Sequence, residues 1–320
     1  MDEKEFAAVL VNELVDNIPV DSRLFLSENG LNPDNLDDAD DIWKTFVRYN
    51  IDGGGIKSSI VYKYWISLPE SFLLFNRKKL ISEVSKLKDL ECYKNFSTEC
   101  PVTFKAGSFI NPEKCHGNGD CPFMTLTKEL KWHKAHYRMA KILLETSKRL
   151  LIENEDGSKN GNLNDIVSGL FLKYADNPNQ SKLATKELIT LFEDIKGYGN
   201  PPKVIDWMLS EMSSPIHNLN HWKMLDYHQL NPVDTHVNRL MERFEFLEKK
   251  DMNSSNIDLK LNELYPEEPR KLDFALYRLG AEMEQNICGK EPKCDLCQEK
   301  FPEIFNNCPS FKDIKRKKSL

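Results

Sequence analysis

The sequence predicts an all-α protein, and three observations carry that reading. Apolar residues recur at helical spacing along most of the chain, while few stretches alternate with a period of two. Glycine-bearing breaks such as Gly53-Gly54-Gly55 and Gly197-Tyr198-Gly199 fall between amphipathic stretches. At 320 residues the chain is long enough for one large or two modest domains with a real core.

Taken in order, residues 1–41 hold twelve acids against two bases, a net of −10, and read as a solvated face or flexible arm. The whole chain carries −6, so the remainder carries +4 and ends in a basic tail. That balance permits a nucleic-acid partner without demanding one. Asp41 to Leu87 offers three helical stretches, broken at the triple glycine and near Pro69. The glycines lack phosphate-loop spacing and read as an interhelix turn. Cys92 to Phe123 is rich in Cys, Gly, Asn and Pro and poor in period. Its Cys92, Cys100, Cys115 and Cys121 suggest a second metal centre, zinc or iron–sulfur, that orders an insertion over 89–125, with spare thiols as the plainer reading.

A helix is expected from Trp132 to about Leu151, with Tyr137, Ala140, Leu143, Leu144 and Leu151 as its apolar stripe. His133 and His136 on it read as surface or packing residues. Leu188, Leu191, Phe192 and Ile195 mark the next amphipathic helix, and Ile205, Met208, Leu209 and Met212 another. Val237, Leu240, Met241 and Phe244 mark a further helix whose N-cap is Asp234. Leu272, Leu276, Leu279 and Met283 place one over Leu272–Ile287.

No apolar run approaches the roughly 18 residues of a membrane span, and the acidic N-terminus lacks the basic and apolar regions of a signal peptide. A reducing, cytoplasmic setting is therefore expected, in which disulfides explain the eight cysteines poorly.

Two constellations carry chemistry. Cys288-x5-Cys294-x2-Cys297-x10-Cys308 can bring four thiolates to one metal centre, iron–sulfur or structural zinc. Asp234 stands at a helix start, where aspartate is a preferred cap and most such residues do nothing else. The same position favours the anion, and an ionised carboxylate in a cleft can stabilise a sugar cation or activate a nucleophile.

The order of these features, a hairpin with Gly197-Tyr198-Gly199, then Pro232-Val233-Asp234-Thr235-His236, then a helix running into the four cysteines, resembles the helix-hairpin-helix-Gly/Pro-Asp superfamily of DNA glycosylases, the endonuclease III and adenine glycosylase relatives that carry a 4Fe–4S cluster. The likeness is specific over residues 184–308. It implies a two-lobed fold with the active cleft between the lobes: residues 42–270 as a helical barrel that includes the hairpin at 184–212, and residues 271–320 as a cluster-bearing part packed with the N-terminal helices. It implies a monomeric enzyme of base excision repair acting on duplex DNA, with Asp234 as the catalytic carboxylate. Gly197, Tyr198 and Gly199 would offer backbone amides to a phosphate. Cys288, Cys294, Cys297 and Cys308 would hold the cluster, with Lys290 and Lys293 turned to phosphate.

Lys203 corresponds to the Schiff-base lysine of members with lyase activity. Here it stands two positions later than the family's Gly-x-Gly-x-Lys, and a helix-start lysine is the equal alternative. The segment before Asp234, with His217, His221, Trp222, Tyr227 and His228, is long, as in archaeal 8-oxoguanine glycosylases. Its aromatics either sandwich an extruded base or belong to the core. The last cysteine interval is longer than the family's, which makes Cys308 the outlying ligand. Two other functions fit the same residues: a non-catalytic iron–sulfur protein that binds nucleic acid, and an N-glycosidase acting on nucleotides or tRNA.

Overall fold

The computed structural model describes residues 1–17, 37–53, 58–90, 103–105, 108–110, 121–150, 161–195, 197–198, 203–214, 217, 219–227, 230, 232–282 and 284–310. The fold is predominantly helical, as the periodicity predicts. The chain forms two compact units, Met1–Asp21 with Tyr227–Leu320 and the inserted Ser22–Asp226.

Helix α1 (Glu3–Val11), which runs on into a π turn at Asn12–Asp16, belongs to the first unit. The inserted unit holds α2 (Ala39–Asp52), α3 (Ser58–Trp65), a 3-10 turn (Leu73–Phe75) and α4 (Arg77–Ser85). A two-stranded ribbon of β1 (Thr103–Lys105) and β2 (Ser108–Ile110) follows, then α5 (Pro122–Glu129), α6 (His136–Arg149), α7 (Leu163–Lys173), α8 (Gln180–Glu193) and α9 (Lys203–Ser213). The chain returns to the first unit with α10 (Thr235–Arg243), α11 (Ser254–Leu264), α12 (Pro269–Gly280), α13 (Cys294–Lys300) and α14 (Pro302–Asn307).

The division differs from the sequence expectation at two places. The boundary falls at 226/227 rather than 270/271, so α10 and α11 belong with the cysteine loop. Residues 1–41 are not one acidic arm, because their first part is a packed helix. The Asp2 carboxylate accepts the Glu5 N–H at 2.9 Å, and the Glu5 carboxylate accepts the Asp2 N–H at 2.8 Å. This capping box places acids at the helix end that favours them. Phe6, Ala7, Leu10 and Val11 are buried, and the Phe6 ring meets Phe244 edge-on at 5.2 Å. Glu3 and Asp16 pair with Lys260 and Lys271 at 2.7 and 3.3 Å.

Helix ends depart from the pattern where tertiary bonds decide them. The helix expected from Trp132 begins at His136, because His133 turns inward: its Nε2–H donates to the Ile51 carbonyl at 3.1 Å, while its Nδ1 accepts the Ala135 N–H at 3.0 Å. Tyr137 is exposed, and the buried stripe runs instead through Met139, Ala140, Leu143 and Leu144. The helix expected to reach Ile287 stops at Gly280, where the chain turns back so that the Ile287 and Cys288 amides both donate to the Leu279 carbonyl at 3.0 and 2.9 Å. Strands of three residues, paired antiparallel with Phe104 opposite Phe109, are too short to leave a periodic trace in the cysteine-rich insertion.

Two glycines allow close approaches in the inserted unit. Gly53 ends α2, and a Cβ there would stand 3.1 Å from Val204 Cγ1 and 3.2 Å from Trp207 Cδ1 of α9. Gly197 has φ +124°, which favours glycine, and a Cβ would stand 2.9 Å from Ile142 Cγ1. Gly197→Ala should therefore lower unfolding free energy by about 1–3 kcal/mol. Urea unfolding checks this, and an unchanged midpoint would refute the strain.

Candidate functional site

Asp234 caps α10. Its Oδ1 accepts the His236 and Val237 amides at 2.7 and 2.8 Å, while Oδ2 takes no hydrogen bond among the described residues. The carboxylate is half-buried, at the helix end where backbone N–H groups gather positive charge. The stripe that seats the helix is the one its spacing predicts: Val237, Leu240, Met241 and Phe244 are all buried.

His236 faces α12. Its Nδ1 lies 2.9 Å from the Gly280 carbonyl, which makes Nδ1 the protonated nitrogen and leaves Nε2 an acceptor. The Arg239 guanidinium, 3.4 Å from the same Nδ1, is then a neighbour and not a hydrogen-bond donor to it. Gly280 makes this approach possible, since a Cβ would stand 3.3 Å from His236 Cβ.

The other end of α10 meets the cysteine loop. Arg243 NH1 donates to the Gly289 carbonyl at 2.9 Å, to the Cys288 carbonyl at 3.2 Å and to Cys288 Sγ at 3.1 Å, and NH2 reaches the Lys290 carbonyl at 3.4 Å. No local pattern singles Arg243 out, because its partners lie 45 or more positions away.

Cys288, Cys294, Cys297 and Cys308 all line one cavity of about 280 Å³, closed on its apolar side by Phe244, Leu279, Ile304 and Phe305. Cys308 thus stands with the other three despite its long interval. Burial, helped by the neighbouring thiols of Cys288, Cys308 and Cys294, pushes the Cys297 thiol up to about 12. Burial also raises Cys288, and the Arg243 hydrogen bond opposes that rise. Among the described residues, no three His, Cys, Asp or Glu side chains are gathered to hold a single metal ion. Lys290 and Lys293 are exposed beside the cavity, and neither is in an ion pair among the described residues.

Other expected site residues are placed as follows. Lys203 opens α9, with its side chain outside the described residues, as are Gly199 and His228. Tyr198 is buried, its ring edge-on to Phe192 at 6.0 Å, so only its backbone remains a candidate for phosphate. Cys121 is the half-buried N-cap of α5, and Cys92, Cys100 and Cys115 lie outside the described residues.

Trp222 is core, its Nε1–H donating to Asn164 Oδ1 at 2.8 Å, and His217 is buried against the Tyr49 hydroxyl; neither ring is open to receive a base. His133 and His136 are buried packing residues, not surface ones. No described helix is long and apolar enough to cross a membrane.

Two outcomes follow. Arg243→Gln should cost about 1–3 kcal/mol of stability, since the loop carbonyls lose a charged donor; denaturant titration checks it, and an unchanged midpoint would refute the clamp. Burial lowers His217 from 6.5 to about 3 and His133 to about 4. The native state therefore resists protons that the unfolded chain accepts. Stability is complete above pH 6.5 and falls as pH drops through that window, by roughly 1.4 kcal/mol per pH unit for each histidine. Urea unfolding between pH 7 and pH 4 measures the slope, and a flat profile would refute it.

A protein family described only as of unknown function (DUF2400) matches residues 178–282, the stretch that holds α8 to α12 with Asp234 but stops short of Cys288. No curated protein and no solved structure matches the chain.

Proposed function

We propose that the chain is a DNA glycosylase of the helix-hairpin-helix-Gly/Pro-Asp kind, excising a damaged or mismatched base from duplex DNA. The observation that carries the reading is the half-use of Asp234: Oδ1 is held by two amides, while Oδ2 takes no hydrogen bond among the described residues. A carboxylate so fixed is oriented by backbone amides alone. In the reaction the base leaves with the electron pair of its N-glycosidic bond, and positive charge develops on the sugar. Asp234 stabilises that charge and takes the proton of the water whose oxygen bonds to C1′. If Lys203 is the nucleophile instead, its amine nitrogen bonds to C1′ and the resulting imine opens a path to strand cleavage by β-elimination.

Cys288, Cys294, Cys297 and Cys308 are the residues that would hold a 4Fe–4S cluster. A lone zinc would draw four sulfurs to about 2.3 Å from one point. A cavity of about 280 Å³ bordered by all four thiols suits a larger group better. When bound, the cluster supplies a four-point crosslink of the loop and no bond-making step, holding Lys290 and Lys293 outward for phosphate.

One observation favours the non-catalytic nucleic-acid-binding reading: capping alone accounts for both hydrogen bonds to Asp234. Asp234→Asn separates the two, because asparagine caps equally well. On protein purified without oxygen, we expect bound iron and sulfide, together with base release from at least one member of a panel of single-lesion and mismatched duplexes. The variant should keep DNA affinity and lose turnover by about 100-fold or more. Strand cleavage without alkali, with a borohydride-trapped adduct lost in Lys203→Ala, would make the enzyme bifunctional. Product from no duplex, or undiminished turnover in the variant, would overturn the glycosylase reading. Zinc in place of iron would overturn the cluster, and product from free nucleotides alone would move the substrate.

A further inference from the structure

The inserted unit carries a surface that base excision by Asp234 does not use. Residues 77–88 hold five bases and one acid, and residues 128–149 hold seven bases and two acids. The helices that bear them, α4, α5 and α6, pack on one another, so the two runs share one region. Their acids are taken up locally. Glu129 accepts the Leu73 and Leu74 amides at 2.7 and 3.0 Å and so caps the 3-10 turn, Glu83 pairs with Lys86 at 2.6 Å, and Glu145 lies 3.9 Å from Lys148 with little exposure. Lys79, Lys88, Lys128, Lys131 and Lys134 are exposed and in no ion pair among the described residues.

An aromatic pair adjoins these lysines. Tyr64, near the end of α3, stacks on Trp132 in the turn between α5 and α6, with ring centroids 4.8 Å apart and planes 14° from parallel. Trp132 stands between Lys131 and Lys134 in the chain, and Tyr64 itself follows exposed Lys63. Tyr64 remains 39% exposed although one of its faces is covered, and Tyr62 and Tyr137 are exposed as well. Exposed rings beside uncompensated ammonium groups are what a single strand needs, since bases stack on the ring while the cations follow the phosphates. A duplex has its base faces already stacked, and an acidic peptide would engage the lysines without using a flat ring.

We propose that Tyr64 and the lysine face of α4 to α6 form a binding surface for single-stranded nucleic acid. A base stacks on Tyr64, and Lys131 and Lys134 follow the adjoining phosphates. This goes beyond base excision and does not depend on it.

The test uses the full chain and a fluorescent, unmodified single-stranded oligodeoxynucleotide, with binding followed by anisotropy across a salt series. Tyr64→Leu should weaken binding about tenfold at constant salt. Lys131→Ala with Lys134→Ala should flatten the slope of log affinity against log salt by about 1.4. Lys182→Ala with Lys186→Ala, which removes the same charge from exposed positions of α8, should leave the slope as it is in the unchanged chain. Melting curves confirm that each variant is folded. An oligoribonucleotide of the same sequence identifies the preferred strand, and tight binding of either one agrees with the proposal.

The proposal is overturned if the single strand binds no tighter than its duplex, if Tyr64→Leu binds unchanged, or if the α8 pair flattens the slope equally. The oligonucleotide carries no lesion, so these outcomes are independent of whether Asp234 cleaves anything.

Discussion

Arg243 fastens the cysteine loop to the helix that Asp234 begins. Its guanidinium satisfies carbonyls of Cys288 and Gly289 and one thiol, groups that a turning loop cannot pair within itself. The helix is nine residues long, roughly 13 Å from end to end. A carboxylate starts it and a grip on the thiol loop finishes it. The first unit supports that helix from several sides, with Phe6 of α1 against Phe244 and Gly280 of α12 against His236. A displacement of α10 along its axis would therefore move the acid and the thiols together.

For Asp234, the cap and the proposed chemistry are not rival explanations. The cap needs an oxygen fixed by amides, and the proposed chemistry needs a carboxylate held in that way. They differ only in what the second oxygen meets. Capping explains why a short polar acceptor stands there, and asparagine or serine would serve as well. The negative charge is favoured by the amides gathered at the helix start, so the cap position accommodates it too.

Helical stripes were legible in the sequence because burial on one face repeats at a fixed spacing. Leu188 with Phe192, Ile205 with Met208 and Leu209, and Val237 with Leu240 and Met241 are all buried as that spacing implies. The spacing of Cys288, Cys294 and Cys297 made their sharing one cavity legible, whereas the ten-residue interval before Cys308 gave no such signal. Helix ends were less legible. Gly280 was a readable stop that the stripe running on to Met283 masked. His133, by contrast, delays the start of its helix through a bond to the distant Ile51, and no local residue announces it. The burial of Trp222 and His217 likewise rests on Asn164 and Tyr49, far away in the chain. The first helix had a readable signal, Asp2 three residues before Glu5 and then Phe6, but the charge of the surrounding segment masked it.

The first unit is built from two segments of the chain, Met1–Asp21 and Tyr227–Leu320, with Ser22–Asp226 between them. That arrangement sets an order of assembly. During synthesis, Phe6 and Leu10 emerge with the whole of Ser22–Asp226 still to be made before their partners on α10 and α12. The inserted unit can complete its own core while α1 still waits, its apolar face uncovered. Closing so large a loop adds only slowly to the entropic cost, so delay rather than instability is the hazard. For that interval α1 is a short amphipathic helix without a home, and a chaperone or a neighbouring chain would meet it before α10 and α12 do.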